Sequence, residues 1–69
     1  MNDARKTVAL AIAAGAGRLL DNGMASPEAT IRELDGLRER FADVIDSDTE
    51  TEIMAIRLRA LEMQGHVTA

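Results

Sequence analysis

Apolar residues recur at helical spacing in three stretches of the chain, and the two intervals between them are polar. In the first stretch Val8, Ile12, Ala16 and Leu19 fall on one stripe, which Ala9, Ala13 and Leu20 widen. This pattern predicts a helix over about 3–21. Leu10 falls on its far side, so the helix is more apolar than a one-sided surface helix. In the second stretch Ile31, Leu34, Leu37, Phe41, Val44 and Ile45 mark one face, opposite Arg32, Glu33, Glu39, Arg40 and Asp43. This is an ordinary amphipathic helix, expected over about 27–45. The third stretch, TETEIMAIRLRALEMQ, predicts a helix over about 49–64 that carries two apolar stripes. Ile53, Ile56, Ala60 and Met63 form one. Met54, Leu58 and Leu61 form the other, roughly 120–180° away at about 100° per residue. Arg57 separates the stripes on one side, and Ala55, Arg59 and Glu62 separate them on the other.

The intervals carry the chemistry of helix ends. Asn2 or Asp3 can cap the first helix, and Asp21-Asn22-Gly23 supplies a residue able to adopt the left-handed conformation that stops it. Ser26-Pro27-Glu28 is a helix start: a hydroxyl cap, a proline at the first helical position and an acid in the first turn. Asp46-Ser47-Asp48 is a short link, with Asp48 or Thr49 expected as the next cap. Gly65 is expected to stop the third helix and leave His66 to Ala69 as a loose tail. A link this short makes the second and third helices antiparallel neighbours. The expected fold class is therefore all-α, a single small domain of three helices in which helices 2 and 3 form an antiparallel hairpin. The core is expected to hold Leu34, Leu37, Phe41, Ile53 and Ile56.

Length changes this picture. A chain of 69 residues has a barely sufficient core and usually adds disulfides, a metal or a partner subunit. There is no cysteine, and the one histidine, His66, has no second ligand at metal spacing. Self-association is what remains, so a homodimeric helical bundle is expected. Arg5 and Lys6 before VALAIAAGAG imitate the start of a secretory signal, but the apolar region is weak and too short to cross a bilayer. The chain is accordingly placed in the cytoplasm, without a membrane partner.

Catalysis finds no support. Asp46 with Asp48 and Glu50 with Glu52 sit where a helix start favours carboxylates without any active site. No serine or threonine has a supported histidine partner, and Gly15-Ala16-Gly17-Arg18 lacks the strand, third glycine and lysine of a phosphate loop. No catalytic residue, cofactor or metal ligand is assigned. The segment LLDNGMASPEATIREL, residues 19–34, resembles the turn and reading helix of helix-turn-helix DNA binders. That alternative would use Thr30 and Arg32. Its turn is too long, however, and Glu28, Glu33 and Asp35 would repel phosphate, as would the net charge of −4. Nucleic acid is not the expected partner.

The second stripe of the third helix is more specific, because a soluble monomer rarely leaves a large apolar patch uncovered. Met54, Leu58 and Leu61, with Arg57 beside them, are expected to contact a second copy or a target protein; methionine suits such an adaptable surface. In size, acidity, lack of cysteine and helices such as SPEATIRELDGLRERFADVI and TETEIMAIRLRALEMQ, the chain resembles the small helical proteins that bacteriophages make to disable host proteins. It is most similar among these to the phage quorum-sensing anti-activators. That resemblance implies a helical dimer which binds a LuxR-type transcription activator of the host and blocks its DNA binding. It assigns no residue a role.

Overall fold

The computed structural model describes residues 3–68, which form three helices and no strand: α1 (Asp3–Asp21), α2 (Pro27–Arg40) and α3 (Ser47–Thr68). All three pack on one another around a core of Ala9, Ala13, Ala16, Leu20, Leu34, Leu37, Ile53, Ile56 and Ala60. Phe41, expected inside with Leu34 and Leu37, is only half-buried at the edge of this core.

Helix α1 turns its small residues inward. Ala9, Ala13, Ala16, Gly17 and Leu20 are its buried positions, while Val8 and Leu19, expected on the core stripe, are 48% and 45% exposed. The reason is the closeness of α3. A Cβ on Gly17 would stand 3.1 Å from Cδ1 of Ile56, so α1 lies nearly against that side chain. Rotating Val8 and Leu19 inward would force the two helices apart. At its end Gly23 takes φ 73, and the Met24 and Gly23 amides donate to the Leu19 and Leu20 carbonyls. This paired arrangement satisfies carbonyls that the helix end would otherwise leave unpaired. A cap from Asn2 lies outside the described residues.

Helix α2 starts as its sequence requires. The Ser26 Oγ accepts from the Ala29 amide at 3.1 Å, with Pro27 opening the first turn. It ends at Arg40, five residues before the expected boundary at 45. Phe41 leaves the helical conformation (φ −114, ψ 22), and its carbonyl accepts from the amides of Val44 and Ile45 in a tight turn. The apolar run through Val44 and Ile45 thus covers the end of the bundle without continuing the helix.

Helix α3 is longer at both ends than the expected 49–64. Its cap is Asp46, not Asp48 or Thr49: the Asp46 Oδ1 accepts from the Thr49 amide at 2.9 Å, and the Asp46 carbonyl accepts from Glu50. Thr49 is consequently buried. Gly65 does not stop the helix, which continues to Thr68, so the expected tail is helical as far as that residue; Ala69 lies outside the described residues. No positive-φ residue occurs there to form a left-handed stop.

Five ion pairs tie the helices together at the surface. Arg5–Asp43 and Lys6–Asp46 fix the start of α1 to the α2–α3 connection, and Arg59–Asp21 joins α3 to the end of α1. Arg38–Glu50 and Arg57–Asp35 join α2 to α3. Each is partly or fully exposed to solvent, which screens it, so the core supplies most of the stability.

The glycines separate packing from helix propensity. A Cβ on Gly36, inside α2, would meet nothing within 4 Å, whereas one on Gly17 meets a buried isoleucine. Gly36→Ala should therefore raise unfolding stability by about 1 kcal/mol. Gly17→Ala should fall short of that gain, because its Cβ would stand 3.1 Å from Ile56 and 3.3 Å from Arg59 side-chain atoms, closer than ordinary contact. Urea unfolding of the two variants gives the comparison, and equal gains would show that α1 does not depend on close approach.

Candidate functional site

The inward residues of α3 set the direction of its outer stripe. With Ile53, Ile56 and Ala60 buried, the helical turn carries Met54, Leu58 and Leu61 to the opposite side, where they are 43%, 58% and 41% exposed. Met63, expected on the buried stripe, is also exposed. Arg57 is half-buried and its Nε donates to Asp35 Oδ1 at 3.2 Å, so its guanidinium is engaged by α2. Leu61 continues the stripe into a shallow depression beside α2, shared with Glu28, Ile31, Arg32 and Gln64.

A second apolar surface lies on α1, where the hydrophobic pattern assigned core. Between α1 and α2 runs a groove of about 440 Å³, lined by Ile12, Gly15, Ala16 and Leu19 on one side and Ala25, Ala29, Thr30 and Glu33 on the other. Val8 and Leu10 are exposed elsewhere on the same helix. The signal for this surface is legible: from Thr7 to Gly17 no residue is charged, the longest such run in the chain. A helix with an ordinary solvent face would interrupt that run with charges.

The residues of the DNA-reading alternative are not brought together on a surface. Thr30 is 2% exposed and its Oγ1 donates to the Ser26 carbonyl at 3.0 Å, so it braces the first turn of α2 inside the bundle. Arg32 is exposed on another face of the same helix.

Asp35, Asp43, Asp46 and Glu50 have structural partners. Between α2 and α3 an open depression is bordered by Asp35, Arg38, Glu39, Asp46 and Glu50. The Lys6 ammonium and the Thr49 amide beside Asp46 hold its carboxyl well below the usual carboxylate range. Arg5 lowers Asp43 in the same way, and Asp46 in turn raises Lys6. Arg5 also lies over the Phe41 ring, 5.3 Å from its centre. Glu50 gives one oxygen to Arg38 at 2.8 Å, while its Oε1 is buried without a hydrogen bond. Among the described residues no group of three or more His, Cys, Asp or Glu side chains could hold a metal ion. Asp43 and Asp46 are thus displaced toward the charged form by cations and a helix cap, the environment of structural ion pairs.

No family model matches the chain, and neither a curated protein nor a solved structure matches it. Among the described residues no helix is long and apolar enough to cross a membrane.

The ion pairs give the fold a defined response to acid. Asp46 and Asp43 are more acidic folded than unfolded, so their contribution is complete above the ordinary carboxylate range, near about pH 4. It is lost as pH falls below that range toward the folded values. Urea midpoints should therefore fall as pH drops below about 4, and those of Asp46→Asn, which keeps a capping side chain but not the charge, should fall less steeply. Identical slopes would assign the acid limit to other carboxylates.

Proposed function

We propose that this protein is a small helical interaction module which works by binding another protein, with α2 and α3 as an antiparallel hairpin and two copies joined as a homodimer. The observation that carries this reading is the outward row of Met54, Leu58 and Leu61. The folded chain leaves three large apolar side chains in a line on its longest helix. Such a row is the usual anchor pattern of a helix that docks on a partner groove, with residues three and four apart on one face. Met54 lends the surface adaptability.

The resemblance to phage quorum-sensing anti-activators names the partner to test first, a LuxR-type transcription activator of a host bacterium. An inhibitor of this kind acts by occupying the activator, and the acidic surface of the chain suits a face that otherwise meets DNA. The functional consequence is loss of operator binding by the activator.

The test is an operator-binding titration with a purified LuxR-type activator, followed by fluorescence anisotropy. Added protein should release the DNA, and Leu58→Asp should weaken that release at least tenfold while circular dichroism stays helical. Undiminished release by Leu58→Asp would remove the α3 row as the contact. No release at all by the native chain would remove the activator as the partner.

A further inference from the structure

We infer that the first two turns of α1, residues 3–10, form a strap held on the bundle by charge. It opens locally as ionic strength rises and uncovers the Phe41 end of the molecule while the rest stays folded. The strap belongs to the fold itself and works whichever protein the molecule binds.

Three observations carry it. The first is how little the strap buries. From Asp3 to Val8 every side chain is exposed, and among the described residues before Ala13 only Ala9 is buried. One methyl group supplies little hydrophobic attachment. The second half of α1, by contrast, buries Ala13, Ala16, Gly17 and Leu20. The strap is instead attached through Arg5, which reaches the Asp43 carboxylate and the Arg40 carbonyl, and through Lys6, which reaches Asp46.

The second is where the cations stand. Arg5 and Lys6 lie in the first turn of α1, the end at which the helix dipole disfavours positive charge. Local preference argues against both, and their acidic partners on the α2–α3 connection account for them. The third is the division of labour at Asp46. Its Oδ2 receives Lys6, while its Oδ1 caps α3 through the Thr49 amide. Releasing Lys6 leaves that cap in place, so the strap can lift without loosening the start of α3. Arg5 lies over the Phe41 ring, 5.3 Å from its centre, and its departure bares the one aromatic ring of the chain. Both ion pairs join solvent-exposed side chains, which salt at about 1 M screens beyond about 3 Å.

Amide hydrogen exchange tests the strap. Its reporters are the amides of Thr7 to Leu10, which bond within the first turns of α1, set against those of Ile56 and Ala60 in the core of α3. Raising NaCl from about 20 mM to about 1 M should lower protection of the strap amides about threefold or more. Protection at Ile56 and Ala60 should change less than about twofold, since local opening leaves the core closed. At low salt Arg5→Asp should lower strap protection by a similar factor. A purely local effect has the opposite sign, because an acid in the first turn strengthens a helix. Asp43→Arg should act like Arg5→Asp, and the double variant, with the pair reversed, should recover protection. Strap amides that keep or gain protection in Arg5→Asp overturn the inference. So does a double variant no better protected than Arg5→Asp, a strap whose protection salt leaves unchanged, or strap and core amides that lose protection together.

Discussion

Everything in this bundle follows from how closely α1 lies on α3. The contact of Gly17 with Ile56 leaves no room for a methyl group at ordinary packing distance. That closeness selects alanines for the inner face of α1 and turns Val8 and Leu19 to the outside. A small inner face buries little area, since each alanine contributes far less apolar surface than a leucine. The larger side chains Leu34, Leu37, Ile53 and Ile56, contributed by α2 and α3, therefore carry most of the core.

The connections are built to the same end. Asp46 serves two helices at once: it caps α3 through the Thr49 amide and receives Lys6 from α1. Arg5 reaches Asp43, the Arg40 carbonyl and the Phe41 ring from one side chain. These contacts concentrate at the end of the bundle where α2 gives way to its turn. The opposite end is held by the glycine stop at Gly23 and the Ser26 cap, with Arg59 to Asp21 alongside. Charge here specifies which helix meets which, and burial supplies the energy.

Among the described residues two apolar surfaces are left uncovered, one on α3 and one on α1. The row on α3 lies between Arg57 and Arg59, and the groove between α1 and α2 is apolar apart from Thr30 and Glu33.

Much of this was already written in the order of residues. Ser26-Pro27-Glu28 dictates a helix start, Asp21-Asn22-Gly23 a helix stop, and the spacing of Ile53, Ile56 and Ala60 the buried side of α3, because caps and periodicity are local. The outward direction of Met54, Leu58 and Leu61 follows from that same spacing. Periodicity could not say which side of α1 is inside, since a helix apolar on nearly all sides offers no contrast to read. Only the approach of Ile56 decides it. Likewise the pattern placed the end of α2, the cap of α3 and its C-terminal stop a few residues from where the structure has them, at Arg40, Asp46 and beyond Gly65. Several candidate caps stand side by side at those ends, and their preferences differ by only about 1 kcal/mol. The order of residues thus determined three helices and an excess of apolar surface, and the packing of α1 determined where that surface lies.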